Sequence, residues 1–201
     1  MPCTVKLNLK ARGLAEKIEE QAKANALKRH VFVGVNSDEG IRPYGEGETN
    51  VATVAQYLEY GWVQTVTRKQ SGWFFGKHGL GVPPGSVLFM PPRPFLRSTL
   101  RHRAKEWSDV FKNAVLRHKG DLELALSEVG EIAKSDIEQT IRNAGIDGEQ
   151  FPRRSPLTQK LYEIYREGHK TDGTGNLSGD QPLKRNGLLL TSIRYKMDNE
   201  L

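Results

Sequence analysis

The strongest constraint on the fold is a pair of helical periodicities set back to back. From Pro94 to about Lys119, Leu96, Leu100, Trp107, Phe111 and Ala114 recur at helical spacing, which gathers them on one face and turns the intervening arginines to the other. Leu122, Ala125, Val129, Ile132, Ala133, Ile137 and Ile141 repeat the pattern up to about Ala144. Pro94 suits a first turn, Gly120 ends the first helix, Asp121 caps the second and Gly145 closes it. So short a connection makes the two an antiparallel pair. Two amphipathic helices need further elements over their apolar stripes.

The rest of the chain supplies candidates. Thr4 to Leu9 alternates Val5, Leu7 and Leu9 with Lys6 and Asn8 and reads as a half-buried strand. Ala11 to Leu27 places Leu14, Ile18, Ala22 and Ala26 four apart, an amphipathic helix. His30 to Val35 is β-branched and aromatic, hence a strand. The acidic stretch Asp38 to Glu48 reads as a loop, and Asn50 as the cap of a short helix, Val51 to Tyr60, that stops at Gly61. Trp62 to Thr67 and Ser86 to Met90 read as a hairpin joined by a long tip containing Trp73, Phe74, Phe75 and the turn-rich Gly79 to Gly85. Leu188 to Tyr195 offers Leu189, Thr191, Ile193 and Tyr195 to one strand face. The expected fold is α+β: a small, mainly antiparallel sheet covered by two long helices, with a protruding hairpin and an extended C-terminal arm. Residues 1–145 form the core, with residues 62–92 as the projection. Residues 146–201 form an irregular arm whose last strand belongs to the same domain or pairs with a neighbouring subunit.

Composition excludes several classes. Among 201 residues Cys3 is the sole cysteine, which rules out internal disulfides and Cys-built metal sites. No stretch reaches the ~18 uncharged apolar residues of a spanning helix, so the expectation is a soluble, intracellular chain without membrane contact. The net charge of +6 is local. Arg93, Arg97, Arg101, Arg103, Lys105, Lys112, Arg117 and Lys119 outweigh Glu106 and Asp109, and the remainder of the chain is balanced. Between Glu59 and Glu106 there is no acid at all, the beginnings of a surface of one sign.

Catalytic and cofactor motifs fail at the residues that matter. Gly72 to Lys77 has too few residues between its glycines for a phosphate loop, and His78 stands where a metal-binding hydroxyl is needed. Asp172, Thr174 and Asn176 imitate a calcium loop that lacks its turn glycine and its final glutamate. His30, His78, His102, His118 and His169 show no zinc-ligand spacing. Glu59 is the one carboxylate to suspect as a base, although it can equally pair with Arg93 or Arg97. No cofactor and no enzymatic activity are expected.

Three blocks occur in a telling order: Val51 to Trp62 (VATVAQYLEYGW), Met90 to Leu100 (MPPRPFLRSTL), and Ser155 to Thr158 (SPLT) followed by Pro182 to Tyr195 (PLKRNGLLLTSIRY). With Gly34 in VGV, this order resembles the head-tail joining proteins of long-tailed bacteriophages, also called tail-completion or neck proteins. In that family a helix ending in a Glu-aromatic-Gly step precedes a hairpin, an "(I/P)PxRPFL" segment opening a long helix, and a final "PL(x)xTGxLxxSI" strand. The resemblance spans residues 31–195. It departs at the last block, where Arg185-Asn186-Gly187 replaces the usual Thr-Gly pair, and in a tip between Arg68 and Pro84 that is longer than typical.

The resemblance implies a structural virion protein, made in the host cytoplasm and placed at the neck. It would form a ring, commonly a hexamer, around the channel through which genomic DNA leaves, between a portal-side connector or stopper protein and a tail terminator or tail-tube protein. Contact with DNA would be non-specific. Two alternatives stand beside it: a tail terminator capping the tail tube, and a free basic nucleic-acid-binding module. Arg93, Arg97, Arg101, Arg103 and Lys105 form the basic face, which looks onto DNA, onto an acidic partner or onto solvent. Trp62, Arg68, Lys69, Trp73, Phe74, Phe75 and Lys77 are the hairpin's candidate partner contacts, unless the aromatics fold back on their own domain.

Overall fold

The computed structural model describes residue 20 and residues 30–43, 49–168 and 187–198. The strand expected at Thr4 to Leu9, the calcium-loop imitation and nearly all of the helix expected at Ala11 to Leu27 lie outside the described residues. Within that helix only Glu20 is described, helical and exposed.

The described elements run β1 (His30–Val35), α1 (Ser37–Gly40), α2 (Val51–Tyr60), β2 (Trp62–Thr65), α3 (Arg68–His78), β3 (Val87–Met90), α4 (Phe95–Arg117), α5 (Leu122–Asn143), β4 (Gly145–Ile146), β5 (Glu149–Gln150), α6 (Pro156–Gly168), α7 (Leu188–Thr191) and β6 (Ile193–Asp198). The fold is α+β, with three antiparallel strand pairs, β1–β6, β2–β3 and β4–β5.

Helices α4 and α5 are antiparallel, as the order of their cross-links requires: Thr99 donates to Thr140 at 2.7 Å, Trp107 Nε1 to Asp136 at 2.7 Å and Arg117 to Glu128 at 2.8 Å. The sequence periodicity of α4 places Leu96, Leu100 and Trp107 on the buried face. Leu96 packs half-buried against the core and Trp107 is half-buried, but the fully buried residues of the N-terminal half are Phe95, Ser98 and Thr99, and Leu100 is exposed. The hydroxyls of Thr99 and Thr140 satisfy each other at the crossing, which makes the burial of these polar side chains tolerable.

The main core gathers Val51, Ala55 and Leu58 of α2, Phe95 of α4, Ile137 and Ile141 of α5, Phe151, Leu189 of α7 and Ile193 of β6. A smaller cluster of Ala114, Val115, Leu122 and Ala125 holds the α4–α5 turn. The described parts of the C-terminal arm, through Phe151, Leu189 and Ile193, therefore belong to this domain. Its last strand pairs with β1 of the same chain, from His30 opposite Asp198 to Val35 opposite Ile193.

Three expected irregular or extended stretches are helical. Asp38 to Glu48 opens with the single turn α1. Residues 156–168 form α6. Leu188 to Thr191 forms α7 instead of the start of a strand. A helical turn there puts Leu189 and Ile193, four apart, into one core, which is the packing a strand would have reached with Leu189, Thr191 and Ile193. The left-handed Gly187 (φ 71°) starts this turn.

Candidate functional site

Glu59 explains how the first two sequence blocks fit together. Helix α4 begins after Pro94, a residue whose side chain offers no capping oxygen. The carboxylate of Glu59, only 4% exposed, takes that role from α2. It accepts from the backbone N–H groups of Leu96 and Arg97, both at 3.0 Å, and from Arg97 Nε at 2.9 Å. A negative charge on two unpaired amides at a helix N-terminus is stabilised by hydrogen bonding and by the helix dipole together. Arg97 also donates to the Glu59 carbonyl at 2.6 Å and lies over the Tyr60 ring, 4.5 Å from its centre. Gly61 then turns the chain at φ 73°, where an added Cβ would sit 2.6 Å from the Met90 carbonyl oxygen and 2.9 Å from Pro92 N. Each residue of the Glu-Tyr-Gly step thus contacts the segment around the RPFL block. With all its oxygens committed to helix and guanidinium, Glu59 is placed as a structural cap.

The expected basic ridge does not survive folding as a surface of one sign. Arg93 is only 3% exposed; it donates from Nε to the Pro152 carbonyl at 2.8 Å and from Nη2 to the Arg153 carbonyl at 3.0 Å, tying down the chain after β5. It precedes the helix and does not share a ridge with the others. Arg97 is paired with Glu59. Arg103 meets Asp147 at 2.8 Å and Glu106 at 3.0 Å; burial opposes its charge, but Asp147 and Glu106 outweigh burial and raise its pKa. Arg101 is 4.0 Å from Glu149. Lys105 is exposed without an ion pair among the described residues. Alongside Glu59 and Glu106, the neutralising acids Asp147 and Glu149 come from the β4–β5 hairpin, some forty residues later in sequence, which also sets His102 between Asp147 at 3.5 Å and Glu149 at 3.3 Å.

The hairpin is present, with Trp62 opposite Met90 and Thr65 opposite Val87. Its tip is irregular from Gly79 to Gly85, as expected, but not before. Helix α3 fills the earlier part, opened by a reciprocal cap in which Gln70 N donates to Thr67 Oγ1 at 3.3 Å and Thr67 N to Gln70 Oε1 at 2.9 Å. The left-handed Gly79 (φ 64°) closes it. The candidate aromatics divide. Phe74 is buried beside Trp73, and Trp62 is half-buried against Tyr57, whereas Trp73 and Phe75 stay exposed. Arg68, Lys69 and Lys77 are exposed, and none has an ion pair among the described residues; Lys77 lies 5.8 Å from the centre of the Trp73 ring.

Sequence reasoning missed the exposed face of the hairpin. Val63 stands opposite Phe89 and Thr65 opposite Val87; directly opposed residues and those two apart share a face. All four are exposed. Trp62 and the whole of β3, Val87 and Phe89 included, border a groove of about 720 Å³ shared with Tyr57 of α2 and Leu157 of α6.

The chain matches no family model, no curated protein and no solved structure. Among the described residues no helix is long and apolar enough to cross a membrane, and no group of His, Cys, Asp and Glu is arranged to hold a metal ion.

Proposed function

We propose that this chain is a structural, non-enzymatic subunit of a bacteriophage neck, a tail-completion protein that joins head to tail as a ring, hexameric by resemblance, around the DNA channel. One observation carries the reading. The three sequence blocks that resemble the family, far apart in the chain, interlock in the fold. The first contributes Val51, Ala55 and Leu58, the second Phe95 and the third Leu189 and Ile193 to one core, and Glu59 of the first caps the helix opened by the second.

The geometry also supports a part in assembly over free binding of nucleic acid. Of the five expected basic residues, Arg93 is buried, Arg97 and Arg103 hold ion pairs and Arg101 lies 4.0 Å from Glu149, so Lys105 is what the α4 face has left for a phosphate backbone. A free binding module relies on uncompensated cations. The deciding experiment is electron microscopy of particles produced without the protein. Separate filled heads and completed tails are expected. Abnormally long tails would reassign the chain as a tail terminator, and normally joined, infectious particles would overturn the proposal.

A further inference from the structure

The exposed hairpin face and the cations of α3 point to the chemistry of the partner. Val63, Val87 and Phe89 are 66%, 64% and 61% exposed and share one sheet face, and Phe75 at the tip is 70% exposed. A contiguous apolar face of this kind, carried on a two-stranded projection, marks a surface that is buried in an assembly. The helix in the hairpin's tip, α3, carries cations and no acid. Arg68, Lys69 and Lys77 stand on α3 with no ion pair among the described residues, and residues 60–105 contain no acid. We infer that this face docks onto a different protein whose surface is apolar at its centre and flanked by carboxylates. The inference rests on the functional reading above and names the chemistry of the neighbour that the neck subunit meets.

Two other occupants fit less well. A second copy would have to offer paired carboxylates, but Glu39, Glu59, Glu106, Glu128, Asp147 and Glu149 are engaged with cations of their own chain, and the exposed Glu20 and Glu163, without an ion pair among the described residues, stand on separate helices. A single nucleic-acid strand would need cations along the stacking surface to follow its phosphates. The sheet face holds Val63, Thr65, Val87 and Phe89 and no cation, while the three basic residues sit near the ends of α3.

The test places a photo-crosslinking benzoylphenylalanine at position 89 of the full-length chain, supplied to phage lacking the native gene, with position 32 on β1 as the control. In purified joined particles the expected product is a crosslink from position 89, absent from position 32, to one other virion protein at a segment flanked by Asp or Glu. A crosslink to another copy of this chain, to DNA, or none at all in particles that contain the chain, overturns the inference alone. Absence of the chain from joined particles overturns the functional reading as well. In a second arm, Phe89→Ser and Lys77→Glu are each expected to lower the yield of joined particles at least tenfold while the purified variants keep their unfolding midpoints. Unchanged yields from both variants overturn the docking face.

Discussion

Glu59 shows how one buried carboxylate can be mistaken for a catalytic base. Its neighbours are two backbone amides and a guanidinium, which take up both carboxylate oxygens. Glu59→Gln keeps one acceptor but loses the charge, and is expected to cost about 1–3 kcal/mol, the worth of hydrogen bonds to an ionised group. Glu59→Ala leaves both amides and Arg97 unpartnered and should cost more, a difference readable as two urea unfolding midpoints. Gly61→Ala combines a left-handed backbone penalty of about 1–2 kcal/mol with overpacking of about 1–3 kcal/mol against the Met90 carbonyl. It should therefore be the more damaging change, despite adding a single methyl group. At the α4–α5 turn Glu128 has its pKa lowered below the ordinary 4.5, chiefly by the hydrogen bond with His118, with Arg117 adding to it against partial desolvation. A depressed carboxylate stabilises the fold fully above its unfolded value and ceases to do so as pH falls through its native one. Glu128→Gln should thus melt below the native protein at neutral pH, and the gap should narrow as pH is lowered below the ordinary carboxylate range, as a series of thermal scans would show.

At the level of elements, caps were the most legible signals and long turn-rich segments the least. Asn50 before Val51 and Asp121 before Leu122 perform the capping their residue types suggest, accepting from Thr53 N at 2.8 Å and from Glu123 N at 3.0 Å. Thr67 and Gln70 were the same kind of signal inside the hairpin tip. They were obscured by Gly72 and Gly76, which leave α3 without an apolar stripe. Thr67→Ala should cost about 1 kcal/mol locally, seen as faster amide exchange in residues 68–72 with little change at α5. The exposed hairpin face was hidden for another reason. Strand alternation reveals two faces but not which one is covered, and with a long tip the register was free to vary.

For the molecule as a whole, charge is redistributed by folding. The acid-free run from residue 60 to 105 suggested a ridge along α4, but Asp147 and Glu149 return to it from the β4–β5 hairpin. Uncompensated cations remain at Arg68, Lys69 and Lys77, beside exposed aromatics. It follows that Arg97→Ala should lower stability by exposing half of a buried pair, whereas Arg101→Ala and Lys105→Ala should stay within about 0.5 kcal/mol of the native protein. Chemical denaturation of the three variants separates these classes. Affinity of the α4 face for duplex DNA should fall with salt on a log–log slope of about −1, in keeping with Lys105 as the one expected cation there without an ion pair among the described residues.

The two long helices, their antiparallel pairing, the Asn50 and Asp121 caps and the α+β class were determined by local sequence alone, because periodicity and capping act within a few residues of chain. Which face of α4 is buried, that Arg93 anchors the segment after β5, that Glu59 is a helix cap, and where positive charge stays unpaired were decided only by tertiary structure. Each of these depends on groups brought together from positions tens of residues apart, and a charge or an apolar side chain acquires its meaning from what folding sets against it.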